Sequence, residues 1–221
     1  MTKSTGIIMS GDHPVKCRDG TKTVTRRTWG LEKINAHPEI WEFVNMEGAI
    51  AYFKHPTGTQ IPVKCPYGGV GDRLWMRETW ATEKRLDHLN GTELGEAGDV
   101  ALWYKAGEIR SVSLARGRWR SSRFMPRWAS RGKLEIITGF RPERLQAITE
   151  EDALAEGITV MQGTWQALGR GEGGKLEPVG EPHPFTARYH FGALWDNLNA
   201  KRGYPWDGNH WIWRIPFKLQ G

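Results

Sequence analysis

Gly20-Thr21-Lys22-Thr23-Val24-Thr25-Arg26-Arg27 is the stretch on which the reading of this chain turns. It crowds an amine, hydroxyls and two guanidiniums between a glycine able to end a helix and a β-branched run able to start a strand. A second stretch, Thr149-Glu150-Glu151-Asp152-Ala153-Leu154-Ala155-Glu156-Gly157, reads as a short helix. Thr149 is its cap, Asp152 stands where a capping box carries Glu or Gln, Ile148 is a staple residue and Gly157 the left-handed terminator. Glu156 falls on the last turn, beside the negative end of the helix dipole, where a carboxylate is mildly misplaced. A lysine, a threonine and a glutamate are the parts needed to cut an amide without a metal.

Working outward, Gly6 to Met9 reads as an opening strand. Ser10 then caps a short helix with His13-Pro14 in its first turn and Gly20 as its stop. Residues 31–60 read as an insertion with one helical piece over Pro38 to Asn45. Ile61 to Cys65 and Leu74 to Trp80 are strands separated by the Gly-rich turn Tyr67 to Asp72. Residues 83–99 are polar and expected to be loop; Val100 to Lys105 and Lys133 to Phe140 return to strand character. Residues 162–184, rich in Gly and Pro, are expected to form a mobile loop. Phe191, Leu194, Trp195 and Leu198 recur at helical spacing, so Phe185 to Asn199 should be an amphipathic helix. Trp211, Trp213, Ile215 and Phe217 alternate strictly, as in a strand with one aromatic face, and Pro216 restricts that strand to an edge or an end.

Strands outnumber helices, are short and do not alternate regularly with helices. That pattern predicts an α+β, mostly β fold such as a small mixed barrel with flanking helices, and argues against a doubly wound sheet. The expectation is a single domain over residues 1–221, with insertions at 31–60, 83–125 and 162–184.

The composition is that of an ordinary water-soluble domain, 38% apolar in 221 residues with a mean hydropathy of −0.57. No apolar run of membrane-spanning length occurs, and Met1 to Gly6 lacks a secretion signal, so a cytoplasmic protein is expected. Cys17 and Cys65 are too few for a disulfide framework. The formal charge of +6 suits a polyanionic partner such as RNA, and twelve tryptophans offer stacking surface or core filler. Gly169 to Lys175 has the spacing of a phosphate loop, but lacks the strand before, the helix after, and the Ser or Thr that would bind magnesium. The histidines and cysteines show no paired ligand spacing, so neither metal nor other cofactor is expected.

The Gly20 to Arg27 stretch resembles the signature turn of the ASCH domain family, a branch of the PUA-like superfamily. Val70-Gly71-Asp72-Arg73-Leu74-Trp75 resembles that family's Gly-Asp turn into a barrel strand. Ile148 to Gly157 resembles its helix bearing a catalytic Glu, and Trp211 to Leu219 its closing strand, which ends in a Phe-Lys pair as Phe217-Lys218 does here. The resemblance covers about half of the chain and implies a PUA-like (ASCH) barrel. Its small amidohydrolase members remove the acyl group of N4-acetylcytidine with Lys, Thr and Glu. Carried over, these are Lys22, Thr25 and Glu156, with Arg26, Arg27, Trp75 and Glu78 as substrate-binding residues. Glu78 is the reserve carboxylate. The chain is longer than those members and closer in size to ASCH-type proteins of phages and prophages.

Threonine is a poor nucleophile and needs a base. Lys22 serves only if neutral, which requires its pKa to fall from about 10.4 toward 7, roughly 4–5 kcal/mol. Arg26, Arg27 and burial push that way, and a nearby carboxylate pushes back. Either neutral Lys22 activates Thr25 and Glu156 protonates the leaving amine, or Glu156 is the base and the Lys22 ammonium holds the oxyanion. The competing expectation is a non-catalytic module for RNA or a modified base, and a ribonuclease stands behind it. Each residue also has a plainer role open to it: Lys22 as a solvated turn lysine, Thr25 as a strand residue, Arg26 and Arg27 as partners of carboxylates.

Overall fold

The computed structural model describes residues 2–107, 115–160, 164–170, 176–184 and 186–220. Its contacts divide the chain into two compact units, residues 1–143 with 211–221, and residues 144–210. The first contains β1 (Ser4–Ile8), α1 (His13–Arg18), β2 (Val24–Arg27), α2 (Glu32–Asn35), β3 (Glu42–Glu47), β4 (Ile50–Lys54) and β5 (Gln60–Lys64). It continues with β6 (Arg73–Arg77), β7 (Trp80–Ala81), α3 (Gly91–Glu96), β8 (Trp103–Tyr104), β9 (Lys133–Ile136) and β10 (Arg141–Arg144), whose last residue begins the second unit. The second unit contains α4 (Glu150–Ala155), β11 (Thr164–Arg170), β12 (Leu176–Pro184) and α5 (Ala187–Asn199). β13 (Trp211–Gln220) belongs to the first again.

The fold class is α+β and mostly β, as the pattern of short strands implies. Six strands form a curled half-barrel sheet in the order β1-β6-β9-β13-β10, with β2 also on β13. β1 and β6 run parallel, while β6–β9, β9–β13 and β2–β13 are antiparallel. The ten residues of β13 therefore serve three partners. Trp211, Ile212, Trp213, Ile215 and Phe217 are all buried, so both faces of this strand are covered rather than the single aromatic face that alternation suggested.

Pro216 lies inside β13 rather than at an edge, because the missing donor falls where a neighbour ends. Its carbonyl accepts a bond from Ile137 N at 3.0 Å, one residue beyond β9. N–H and C=O of one residue face the same side of a strand, so the ring removes only a bond that would have extended the β9 ladder.

The core of this unit joins sheet and helices: Ile7, Cys17, Leu31, Ile34, Leu74, Met76, Leu134 and Ile136 pack with the β13 aromatics. The Trp213 ring stacks on Phe140 with centroids 5.7 Å apart, and its indole N–H donates to Trp29 O at 3.1 Å. Asn35 exchanges two bonds with the Trp211 backbone, at 2.8 and 2.9 Å, in the manner of a further strand residue.

Several elements differ from the sequence reading. The helix expected over Pro38 to Asn45 is a single 3-10 turn, Pro38–Ile40, followed by β3. β3, β4 and β5 form their own antiparallel sheet, in which Phe43 faces Phe53. Residues 83–99 are not all loop, because Asn90 and Glu93 make a complete capping box that starts α3. The strand expected from Val100 to Lys105 shortens to β8. In place of a loop over 162–184, β11 and β12 pair antiparallel. Residues 171–175, most of the glycine-rich loop, lie outside the described residues, as does Phe185. No described helix is long and apolar enough to cross a membrane.

In the second unit the expected Thr149 cap and Gly157 terminator are present, and Thr186 adds a cap that the sequence reading did not name. Thr149 Oγ1 accepts from Asp152 N at 3.1 Å, and Gly157 has φ +83°, which a side chain would resist. Thr186 Oγ1 accepts from Tyr189 N at 3.1 Å at the start of α5, and the Glu150 carboxylate accepts from Ala187 N at 2.7 Å. The α5 face buries Phe191 and Trp195, whereas Leu198 is exposed.

Two consequences are measurable. Burial pushes the Cys65 thiol up to about 12, so neither buried cysteine should react with a thiol reagent at pH 8 until denaturant unfolds the chain. Burial first, and then the Arg144 charge, hold His210 below its usual 6.5. The unfolded chain takes up that proton first, so the contribution is full above pH 6.5 and is lost as pH falls. Urea midpoints from pH 7 to 5 should therefore fall less steeply in His210→Gln than in the parent.

Candidate functional site: a turn of buried polar residues

The Lys22 turn begins where α1 stops. Asp19 caps the helix through a bond from its own N–H to Val15 O, and Gly20 follows at φ +82°, the left-handed region that glycine enters without strain. The Asp19 carboxylate accepts from Thr21 N at 2.9 Å. Hydrogen bonds from Thr21 are the main reason that this carboxyl lies below its ordinary range. Lys22 N then donates to Lys16 O at 2.8 Å, which folds the turn back on the helix. Phe217 N donates to Thr23 O, and β2 continues along β13 with Thr25 opposite Ile215 and Arg26 opposite Arg214.

This path carries polar side chains into the interior. Lys22, Thr25 and Arg26 are each at most 2% exposed, and Thr28 is buried as well. Lys22 ranks among the largest fully buried side chains, beside Trp80 and Trp213. Lysine is almost never placed so without a partner or a task, which removes the solvated turn lysine from consideration.

Arg26 donates from Nε at 3.1 Å and from Nη2 at 2.7 Å to Glu143 Oε1. Arg141 Nη2 donates to the other oxygen at 3.0 Å, and Arg214 Nε stands 3.9 Å from it. Three guanidiniums thus surround one carboxylate on neighbouring strands. Arg26 and Arg214 face each other directly, an arrangement that would repel without Glu143. Of the two roles open to Arg26, the carboxylate pairing is the one the geometry displays. Glu143 itself is 117 residues from Arg26, and no spacing in the sequence signals the pair.

Arg27 is half-buried and donates to Ile8 O at 2.8 Å, at the end of β1. Trp75, half-buried in β6, lies under the Arg77 guanidinium at 5.3 Å. Glu78 is buried and held bidentately by Arg131, with both bonds at 2.8 Å. Arg131 in turn stacks 4.1 Å over the Tyr104 ring. Glu78, Met9, Ser10, Thr79 and Lys105 line a cavity of about 310 Å³, near the lower limit for a small-ligand site. Arg27 Nη2 reaches Met9 Sδ on its wall at 3.6 Å.

Lys22, Thr25, Arg26, Arg27, Trp75 and Glu78 thus all belong to the first unit, and Glu156 belongs to the second. Glu156 is the C-cap of α4 and only 4% exposed, a buried carboxylate at the negative end of a helix. Among the described residues, no group of three His, Cys, Asp or Glu side chains is arranged to hold a metal ion.

With that geometry in view, comparison with family models, with characterised proteins and with solved structures returns no match.

The arginine cluster makes a stability prediction. Glu143→Ala should cost about 3–5 kcal/mol in urea unfolding, because it strands buried positive charge. Adding Arg26→Met to that variant should restore part of the loss, which would identify desolvated charge as the cause.

Proposed function

We propose that this chain is an ASCH-type, PUA-like protein that hydrolyses the N4-acyl group of a cytosine nucleoside or nucleotide. The observation that carries this reading is the burial of Lys22 beside buried Thr25 and Arg26, in a turn that leaves a helix through Gly20. Buried ionisable groups gathered in one short stretch make that stretch a functional-site candidate. The curled, mostly β sheet, the Gly71-Asp72 turn into β6 and the closing strand β13 support the family assignment.

In the proposed reaction, the Thr25 hydroxyl attacks the acyl carbonyl and gives its proton to neutral Lys22. The C–N4 bond then breaks as the cytosine amine takes a proton from Glu156. Water then attacks the acyl-threonine ester, giving a proton to the Glu156 carboxylate. The ester C–O bond breaks as the Thr25 oxygen takes a proton from the Lys22 ammonium; a carboxylic acid leaves and all three groups return to their starting states. The reverse assignment, with Glu156 as base and the Lys22 ammonium at the oxyanion, uses the same three groups. No metal or organic cofactor enters either route. Trp75 and Glu78 would contact the base, and Arg27 would face an anionic portion of a nucleotide.

The test is the ultraviolet spectrum of N4-acetylcytidine incubated with the protein. Release of cytidine is expected, and Lys22→Ala and Glu156→Gln should each lower turnover at least about a hundredfold. A loss with Glu78→Gln but not Glu156→Gln would move the carboxylate role to Glu78. With no release at all, recognition of a modified base without chemistry becomes the better reading, favoured by the net charge of +6.

A further inference from the structure

Between β7 and β9 the first unit carries a second, smaller core, built from Trp80, Leu86, Leu94, Met125 and Ala129. Its surface is unusual in charge. Residues 115–131 contain Arg116, Arg118, Arg120, Arg123, Arg127 and Arg131 and no acidic residue. Four of these are bonded within the fold. Arg131 holds Glu78, Arg120 donates to Leu89 O at 2.8 Å and Leu86 O at 2.9 Å, Arg118 Nη2 donates to Asp87 O at 2.9 Å, and Arg116 Nη1 donates to Gly117 O at 2.9 Å. Arg118, Arg123 and Arg127 are exposed.

Beside them runs a groove of about 840 Å³, lined by Trp80, His88, Arg118, Trp119, Arg120 and Phe124 among others. The Phe124 ring is 73% exposed, a large apolar surface offered to solvent by a residue that most proteins bury. Trp119 already carries the Arg116 guanidinium 4.2 Å over its ring. Two buried donors of the lining, Trp80 Nε1 and Arg120 Nε, have no acceptor among the described residues. An unmet indole N–H in a residue only 1% exposed is costly.

We propose that this groove docks single-stranded nucleic acid. Bases stack on Phe124 and Trp119, and backbone phosphates lie against Arg118, Arg123 and Arg127. The volume accommodates one or two nucleotides. Arg118 has the Asp87 carboxylate on its backbone N–H, whereas Arg123 and Arg127 have no acidic partner among the described residues and leave their charge for phosphate. The arginines are felt within the fold: burial first, and then the Arg123 charge, depress Arg77; burial also depresses Arg120, where the Asp87 charge opposes the shift and the Arg118 charge adds to it. Rings that stack without base-edge donors predict affinity with little sequence preference. The site is separate from the Lys22 turn in sequence and chemistry, and it stands whether or not that turn hydrolyses amides.

The experiment is fluorescence anisotropy with a labelled oligouridylate of about ten nucleotides, a length suited to such surfaces. Uracil has no exocyclic amine, so the probe avoids the proposed deacylation site. Phe124→Ala should weaken binding about tenfold, the size expected for loss of one stacked base. Its unfolding midpoint should stay unchanged, because the ring is exposed. Arg123→Ala with Arg127→Ala should weaken binding and lower the salt slope by about one to two. Absence of binding, or binding indifferent to Phe124→Ala, overturns the proposal. Equal affinity for a duplex of the same length, or displacement by polyglutamate as effective as by the oligonucleotide, also overturns it, since charge alone would then explain the surface.

Discussion

The backbone ladder of β13 is the constraint from which the rest of the first unit follows. A strand with covered faces must find partners for its polar groups within the protein, since water is excluded. β2 bonds residues 213–216 and β9 bonds residues 217–220, with β10 as a third partner. Even at Trp211 the Asn35 amide substitutes for a neighbouring strand. Because β2 must follow this ladder, Lys22 turns inward between exposed Thr21 and Thr23, and Thr25 and Arg26 become interior residues with it.

Burying charge so close to a central strand imposes the second layer of design. Arg26 finds Glu143, and Glu78 finds Arg131, each through short charge-assisted bonds. Such pairs seldom add much net stability, because both ions have lost their hydration. They do hold side chains in one geometry, which suits a site that needs fixed groups. The Glu143 carboxylate with its three arginines also keeps the Arg26–Arg214 cross-strand contact tolerable.

Local signals were legible in the sequence, and where they failed another force had prevailed. Gly20, Thr149 and Gly157 act as the turn and cap residues that their chemistry implies. The Asn90–Glu93 capping box was equally readable, yet polar composition around it suggested loop. Over Pro38 to Asn45, the expected helical piece gives way to a partner strand, because Phe43 and Met46 pack toward the core when β3 pairs with β4. The glycine- and proline-rich segment 162–184 pairs as β11 and β12 by the same nonlocal bonding.

The sequence by itself determined the class of fold, the two helix-ending glycines, the Thr149 cap and the presence of an amine, a hydroxyl and guanidiniums in one short turn. These depend on neighbours a few residues apart, where chain entropy is small and local chemistry decides. The Ser10 cap it also suggested is not made, since the N-cap of α1 is Asp12, without a side-chain cap bond. Only tertiary structure decided that Lys22 is buried, that Arg26 answers to Glu143, that Pro216 is tolerated inside β13 and that an aromatic, arginine-lined groove opens beside Phe124. Each depends on residues tens of positions apart brought together by burial and ladder pairing, which are properties of the assembled sheet and not of any window of sequence.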